Sequence, residues 1–324
     1  MSLIAVDAMG GDHAPGEIVC GAVDAAKDGH DVVLVGDEPQ VRTILDEVGF
    51  DLDVVHATEV IRMDEDPAAA IRERKDASIS VAARLVANGD AAGVVSAGST
   101  GAVLAAAAFL IGRLPGVARP SLATLFPGSK VVLDSGANLA CRSEHLVQFG
   151  VMGAALAETL LGIPEPRVGL VNIGEEEGKG RDLEKSAFDG LRAVEGIRFV
   201  GNVEGRDLAT DAVDVLVTDG FTGNVLLKTA EGTAHLVREM FEEAIARSPL
   251  AAGDTMAASV AGLRRRVDPE ATGGAHLLGT KGVVVVAHGS SSRLAVANAI
   301  AMADEGASRG LVERIATGLA AGDD

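Results

Sequence analysis

The stretch that decides the fold reads VGLVNIGEEEGKGRD, from Val168 to Asp182. Its first residues, Val168–Asn172, form an apolar run typical of a buried parallel strand. The glycine-rich turn that follows, Asn172–Asp182, is typical of the carboxyl end of such a strand. Ligands of open α/β sheets bind at that end of the strands. The stretch therefore predicts an α/β sheet with a ligand-binding turn.

The turn is not a nucleotide-binding P-loop. Gly174 and Gly178 enclose three residues where a P-loop has four, and Lys179 is followed by Gly180 instead of Ser or Thr. The three enclosed residues are glutamates, which would repel a nucleoside triphosphate. Nucleotide hydrolysis is therefore disfavoured, and the turn presents a single lysine to its ligand.

The rest of the chain alternates short β-rich runs with amphipathic helical windows, which predicts a Rossmann-like, doubly wound, mostly parallel sheet. Right-handed crossovers would place the turn loops at one edge of that sheet. With 324 residues and 48% hydrophobic residues, the chain can bury a large core. We expect one α/β catalytic domain over residues 1–324. Strands are expected at Leu3–Val6, Asp31–Val35, Asp53–His56, Gly93–Ser96, Lys130–Leu133, Arg167–Asn172, Val213–Thr218 and Gly282–Ala287.

One segment interrupts this alternation. Val225–Arg247 and Thr255–Val267 have the pattern of two consecutive helices, which predicts a projecting helical hairpin at about residues 225–267. Projections of this kind make dimer contacts or dock on partners. The second helix ends in Arg264, Arg265 and Arg266. These side chains either complement the helix dipole or contact an acidic partner or a lipid surface.

Composition excludes several classes of function. A net charge of −19 disfavours nucleic-acid binding, which depends on Lys and Arg neutralising phosphates. No apolar run reaches the roughly 18 uncharged residues of a membrane span. The N-terminus lacks the basic region of a signal peptide, so we expect a cytoplasmic protein. Cys20 and Cys141 cannot build a disulfide framework and have no paired metal spacing.

Two turn motifs in the first third of the chain are candidate anion sites. In DAMGGDHAP, Asp7–Pro15, the glycines Gly10 and Gly11 allow backbone amides to approach a ligand closely, and Asp12 and His13 add polar groups. In VSAGSTGA, Val95–Ala102, small polar residues precede a predicted helix; they include Ser96, Gly98 and Thr100. A helix N-terminus of this kind binds anions, although capping by Ser99 or Thr100 uses the same geometry.

Two further turns follow later strands. LDSGAN, Leu133–Asn138, carries Asp134 and Asn138. TDGFTGNVLLK, Thr218–Lys228, carries Asp219, Asn224 and, one helical turn later, Lys228. Cys141 and His145 could form a thiol nucleophile with its base, but the sequence shows no third orienting group, which disfavours this interpretation.

Taken together, the motifs resemble the PlsX-type phosphate acyltransferase family. The resemblance rests on the four turns and the loop NIGEEEGKG, with TEVIRMDEDPAAAIRERKDASI, GNVEGRD and GGAHLLGTKGVVVVAHGSS, and it spans about residues 3–300. Two positions depart from the family pattern, because Ser99 stands where Asn is common and His276 stands where Pro is common.

The resemblance implies an enzyme that converts fatty acyl-acyl carrier protein and inorganic phosphate into acyl phosphate for bacterial phospholipid synthesis. It implies a fold like those of phosphotransacetylases and isopropylmalate dehydrogenases. It also implies a homodimer that associates peripherally with the membrane and uses no cofactor or metal. The product could pass to a downstream glycerol-3-phosphate acyltransferase.

The chemistry of this reaction suggests roles for the motif residues. Phosphate, with a pKa of about 6, is already an ionised nucleophile, and a thiol leaving group has a pKa of about 8.5. The site must mainly hold phosphate and stabilise the oxyanion. Lys179 and Asn224 are the expected catalytic pair. The expected phosphate and substrate ligands are Gly10, Gly11, Asp12, His13, Ser96, Gly98, Thr100, Asn138, Asp219 and Lys228.

Two other functions remain open from the residues. A metal- and NAD-dependent β-decarboxylating dehydrogenase of similar fold could use carboxylates as metal ligands, namely Asp7, Asp12, Asp134 and Asp219. A non-catalytic scaffold could bind carrier protein or a membrane surface without turnover.

Overall fold

The computed structural model describes residues 2–126, 130–246 and 273–320, and its strands form one eleven-stranded sheet. The strand order is β3-β2-β1-β4-β11-β10-β5-β6-β9-β7-β8. The strands are β1 (Ile4–Asp7), β2 (Val32–Gly36), β3 (Asp53–His56), β4 (Gly93–Ser96), β5 (Ser121–Phe126), β6 (Lys130–Leu133), β7 (Arg167–Val171), β8 (Arg198–Val203), β9 (Val215–Val217), β10 (Ala275–Leu278) and β11 (Val283–Val286).

Helices cover both faces of the sheet. They are α1 (Gly16–Lys27), α2 (Glu38–Val48), α3 (Pro67–Glu73), α4 (Ser78–Asn88), α5 (Thr100–Ala106), α6 (Ser143–Leu160), α7 (Asp182–Ala193), α8 (Gly220–Ala246), α9 (Arg293–Ser308) and α10 (Leu311–Ala320). A π-helical segment, Ala107–Ile111, continues α5 directly, and Gly205–Ala209 forms a short 3₁₀ helix. The mostly parallel α/β fold is as the sequence predicts.

The sheet has two parallel halves that run in opposite directions. β1 to β4 and β11 run one way, whereas β6 to β9 run the other way. The reversal occurs through three successive antiparallel pairs, β11 with β10, β10 with β5, and β5 with β6. The prediction that all turn loops lie at one edge of the sheet is therefore wrong. The antiparallel strands β5 and β10, which are not among the predicted strands, place the turns of the two halves at opposite edges.

One face of the sheet carries α3, α4 and α5 over the first half and α8 over the second. Leu122 on β5 belongs to the hydrophobic cluster under α3 to α5, and Val132 on β6 belongs to the cluster under α8. Thr124 is paired with Val132 and shares the strand face of Leu122, because side chains alternate along a strand. The helices α5 and α8 thus flank β5 on a common face.

The helix α8 starts five residues earlier than the Val225 predicted for the hairpin, at Gly220. Its apolar side chain Leu227 is buried against the sheet. Along its length α8 exposes further apolar side chains, namely Phe221, Val225, Leu236, Val237, Met240 and Phe241. The predicted second helix, Thr255–Val267, lies outside the described residues, as do Arg264, Arg265 and Arg266.

Candidate active site

A first group of polar residues lies where β1 and β4 end. The hydroxyl of Ser96 donates a hydrogen bond to Asp7 Oδ2 at 2.7 Å and accepts one from the backbone N–H of Gly98 at 3.1 Å. Asp7 is fully buried, and burial raises its pKa although hydrogen bonds from Ser78 and Ser96 act in the opposite direction. Asp7 therefore fixes the orientation of Ser96 and of the Gly98 turn.

The two glycine turns of this group touch backbone to backbone. A Cβ atom on Gly10 would lie 2.6 Å from Asp7 Oδ2 and 2.8 Å from the Gly98 nitrogen, so only glycine fits there. Gly11 has a positive φ of 115° and lies against Ala97. The small cavity between the turns has a volume of about 10 Å³, room for about one water molecule. An ion of the size of phosphate is too large to lie inside it.

The mouth of this cavity is the N-terminal turn of α5. Thr100 is exposed there, and the side chain of Ser99 makes no capping hydrogen bond to the helix. Asp12 and His13 are also exposed, and the Asp12 N–H donates to the carbonyl of Gly289 at 2.7 Å. The first-turn amides of α5 thus receive no capping hydrogen bond from the Ser99 side chain.

A second group is built around Asp134, at the end of β6. Asp134 Oδ1 accepts hydrogen bonds from the N–H groups of Gly136 at 3.0 Å and Ala137 at 2.9 Å. The side-chain amide of Asn138 donates to Asp134 Oδ2 at 2.6 Å and to the carbonyl of Pro120 at 2.8 Å. Burial raises the pKa of Asp134 despite these hydrogen bonds. Both amide hydrogens of Asn138 are therefore committed to holding the turn.

Asp219, at the end of β9, joins this group through an arginine that the sequence analysis did not identify. Asp219 accepts from the N–H of Thr222 at 2.8 Å and from Arg181 at 2.6 Å. Arg181 also pairs with the buried Glu184. Burial raises the pKa of Asp219, but the Thr222 and Arg181 hydrogen bonds outweigh it and leave the pKa below its usual value. Arg181 thus links the loop after β7 to the turn after β9.

We expect Arg181→Met to destabilise the fold by about 1–3 kcal/mol at pH 7, because two buried carboxylates lose a charged donor. Both carboxylates have lowered pKa values in the folded protein. Their stabilising contribution is present above the unfolded values of about 3.9 and 4.3, and it is lost as the pH falls through the folded values. The deficit of the variant should therefore shrink below about pH 4.

Urea unfolding of both proteins across this pH range measures the effect. Arg192→Met is a suitable control, because its carboxylate partners Glu177 and Asp189 are exposed and such pairs contribute about 0–1 kcal/mol. Arg192 also lies over the Phe188 ring, and methionine can keep a contact with that ring. An Arg181→Met deficit no larger than that of the control, or one that grows on acidification, would contradict the assignment.

The start of α8 rests directly on the Asp134 turn. The N–H of Gly220 donates to the carbonyl of Asn138 at 2.9 Å. Asn224, one turn along the helix, is exposed, and its side chain lies 3.9 Å from the position of a Cβ on Gly136. No hydrogen bond of the Asn224 side chain to another described residue occurs. Its amide is therefore available to a ligand above the turn.

The loop NIGEEEGKG is held by two asparagines. The amide of Asn172 donates to the carbonyl of Lys179 at 3.1 Å, and Asn202 donates to the carbonyl of Glu176 at 2.8 Å. Lys179 Nζ lies 3.9 Å from a Glu176 oxygen, and the lysine side chain is half exposed. The outer glutamates are turned towards arginines, with 3.4 Å separating Glu175 from Arg206 and Glu177 from Arg192.

The predicted site residues thus fall into two groups. No hydrogen bond or ion pair joins the first group to the second, or Lys179 to Asn224, among the described residues. Lys228 pairs locally with Glu231 at 2.8 Å. The groups do border one face of the sheet, because Ala137 packs against the hydrophobic cluster that contains Ala102 and Val103 of α5. The Asp134 turn therefore reaches from α8 to the core beneath α5.

The cysteine that could have served as a nucleophile is not activated. Burial, with the nearby Asp134 charge, raises the pKa of Cys141 to about 11, and its thiol points to the carbonyl of Asn138 at 3.6 Å. His145 Nδ1 accepts from the N–H of Arg142 at 3.1 Å. The structure therefore also disfavours Cys141 and His145 as a thiol nucleophile with its base.

The histidine that departs from the family pattern lies in the core. His276 is buried in β10, and burial lowers its pKa to about 4.

Over the described ranges, no helix is long and apolar enough to span a bilayer. Those same residues contain no group of three or more His, Cys, Asp or Glu side chains placed to hold a metal ion.

Comparison with known proteins gives the family. A family model described as "Fatty acid synthesis protein" matches residues 2–314. The chain is 49% identical to a phosphate acyltransferase of Desulforamulus reducens, with 98% of each chain covered. It is 48% identical to a phosphate acyltransferase of Pelotomaculum thermopropionicum, with coverage of 98% of this chain and 94% of the relative.

The fold is also shared with solved structures. A phosphotransacetylase from Streptococcus pyogenes superposes with a TM-score of 0.65 at 18% identity, over 95% of this chain and 94% of the other. At this identity the likeness concerns the fold alone. The whole-length sequence matches go further, and they show that this chain is an acyltransferase that belongs to the phosphate acyltransferase family of fatty acid synthesis proteins.

Proposed function

We propose that the protein makes acyl phosphate from fatty acyl-acyl carrier protein and inorganic phosphate. The observation that carries the proposal is a set of exposed apolar side chains around the second polar group. They are Leu139, Ile173, Phe221 and Val225, which are 73%, 82%, 63% and 50% exposed, and we call them the apolar collar. Each directly follows a residue of the polar turns, namely Asn138, Asn172, Gly220 or Asn224.

The collar fits a substrate that is polar at one end and apolar beyond it. Large apolar side chains so exposed beside polar turns are a feature of binding sites. A fatty acyl thioester would place its carbonyl at the polar turns and its first methylene groups against the collar. Phosphate alone would need no such surface.

In the reaction, a phosphate oxygen attacks the thioester carbonyl carbon, the C–S bond breaks, and the carrier leaves as a thiolate. Phosphate needs no general base, since it is already ionised. The uncapped amides at the start of α5, with Gly10, Gly11, Ser96, Gly98 and Thr100, form the proposed phosphate cradle. Asp12 and His13 lie exposed at its rim.

The second group supplies the proposed oxyanion site. Asn224 would donate its free side-chain amide to the developing oxyanion, and Lys179 would add its ammonium after leaving Glu176. Asn138 and Asp219 hold the turn beneath the substrate. Lys228 would contact phosphate or carrier once released from Glu231.

Assembly and location are part of the same proposal. The proposed element for contact with a second copy and the membrane surface is the helical hairpin expected at about residues 225–267, of which the described part is α8. The exposed apolar side chains of α8 support this assignment. We assign Arg264, Arg265 and Arg266 to contact with carrier or lipid. The protein would be cytoplasmic and peripherally membrane-associated, and its acyl phosphate would acylate glycerol 3-phosphate through a second acyltransferase.

The test is a direct assay of the purified protein with acyl-acyl carrier protein and inorganic phosphate. We expect phosphate-dependent release of the carrier thiol together with acyl phosphate, detected as a hydroxamate after trapping. Carrier binding without thiol release would favour the scaffold. Reduction of a nicotinamide with a 2-hydroxy acid substrate would favour the dehydrogenase, which the names of the relatives do not support.

A further inference from the structure

Several cationic side chains, exposed except for the half-buried Arg84, lie on and beside the surface formed by α3, α4 and the π-helical segment, which also carries one exposed aromatic side chain. We call it the basic face, and its members are Arg72, Lys75, Arg84, Phe109, Arg113 and Lys281. Phe109 is 50% exposed. In a chain with a net charge of −19, such a group of cations is an exception to the overall negative charge.

Contacts along the chain connect the members of the basic face. The guanidinium of Arg72 lies over the Phe109 ring, 4.8 Å from its centroid. Arg84 donates to the carbonyl of Lys75. At the end of the π-helical segment, the Lys281 N–H donates to the carbonyl of Gly112 at 3.0 Å, next to Arg113. Arg72 and Lys281 therefore lie against the helix that begins at Thr100, at Phe109 and at Gly112.

These five cations form no ion pair with a described carboxylate, although the Thr58 hydrogen bonds and, to a smaller extent, the nearby charge of Arg84 lower the pKa of Asp76. Most arginines elsewhere in the described part are paired, for example Arg42, Arg167, Arg293 and Arg314. Nearby, Glu73 is exposed and Asp76 hydrogen-bonds Thr58, so some negative charge borders the face. Arg84 and Arg113 each donate to a backbone carbonyl, that of Lys75 and that of Ala118. Arg72, Lys75 and Lys281 remain available to an external anion.

We propose that the basic face docks an acidic surface of the acyl carrier protein, an inference that rests on the proposed function. Charge complementarity is the argument for this occupant, because unpaired cations on an acidic protein select and steer an acidic partner. Phe109 with Arg72 over its ring provides the kind of aromatic and arginine anchor that is enriched at interfaces.

The position of the basic face fits delivery of a tethered thioester. Gly101 at the start of α5 packs against Pro67 of α3, beside the proposed phosphate cradle. Phe109 lies eight residues further along the same helix, or about 12 Å at 1.5 Å per residue. A carrier docked on this face would hold its pantetheine arm within reach of the site mouth.

The experiment measures binding of acyl carrier protein by fluorescence anisotropy, with Arg72→Glu/Lys75→Glu, Phe109→Ser and the wild type. We expect the double variant to raise the Kd about tenfold or more, since it places like charges opposite the carrier. The wild-type Kd should rise with salt, and that salt dependence should flatten in the double variant. Phe109→Ser should weaken binding with the salt dependence kept.

Arg198→Glu is the matched control, because Arg198 is exposed on the edge strand β8 without an ion pair to a described residue. A second readout is the ratio of kcat/KM for acyl-acyl carrier protein to that for a carrier-free acyl pantetheine thioester. This ratio should fall about tenfold in the double variant. Equal carrier binding by wild type and double variant would overturn the inference, whether or not the protein turns over. If the wild type turned over neither thioester, that result would refute the proposed function instead.

Discussion

Alanine at Asn224, or at Lys179, is expected to lower kcat by about 10²–10³-fold, the usual effect of removing one donor to an oxyanion. The Asn224 amide has no hydrogen-bond partner in the described part of the chain, so its loss leaves no buried group unpaired. Lys179 loses only a 3.9 Å contact with Glu176 at the surface, and such contacts contribute about 0–1 kcal/mol. The effect should therefore appear in catalysis and not in stability.

Kinetics of acyl phosphate formation and urea unfolding, measured on the same preparations, separate the two effects. Asn224→Asp keeps the size of the side chain but exchanges the donor for a carboxylate, so we expect it to be at least as impaired as Asn224→Ala. Lys185→Ala is the control for lost charge, because Lys185 is exposed on α7 without an ion pair to a described residue. Wild-type kcat in either alanine variant would remove that residue from the mechanism.

Alanine at Gly223 is expected to destabilise the protein by about 3 kcal/mol or more, at the upper end of the cost of overpacking. A Cβ atom there would overlap the carbonyl oxygen of Asp134 and lie 3.0 Å from a Thr218 methyl group. The obstacle is backbone, so α8 would have to move away from the turn that it rests on. Activity should fall along with stability, because Asn224 moves with the helix.

A control substitution in the same helix should change the free energy of unfolding in the opposite direction. Gly232 is exposed in the interior of α8, and a Cβ there would meet nothing within 4 Å. Gly232→Ala should therefore stabilise the protein by about 0.5–1 kcal/mol, since glycine is a poor helix former. Urea midpoints of the two variants measure the contrast. Soluble Gly223→Ala protein with the wild-type midpoint would show that α8 does not rest on the Asp134 turn as described.

Most parallel strands could be predicted from the sequence because they are short apolar runs that end in polar turns. The bounds predicted for Asp53–His56, Gly93–Ser96 and Lys130–Leu133 are those observed. Strand β5 follows closely on Pro115, Gly116 and Pro120, which suggest loop, and β10 follows the glycines Gly273 and Gly274. The reversal of the second half depends on those two strands, so it could not be predicted.

The candidate site could be predicted as four turns, but not as a set of contacts. The partner of Arg181 at Asp219 is 38 residues away in sequence, and Ser96 bonds Asp7 across 89 residues. No local spacing signals such pairs. The same limit applies to Asn138, whose amide appears free in the sequence but is held by Asp134 and Pro120 in the fold.

The reversal through β10 and β5 has a geometric consequence. Seven steps separate β1 from β7 in the sheet order. At about 20–25° of twist per step, they rotate β7 by about 140–175° relative to β1. A rotation of that size would nearly cancel the reversal and would bring the carboxyl ends of both halves into similar directions in space. The central pair β10–β5 would then set the angle between the two half-sites, and β5 also contacts one of them directly, because the Leu122 N–H donates to Asp134 at 3.3 Å.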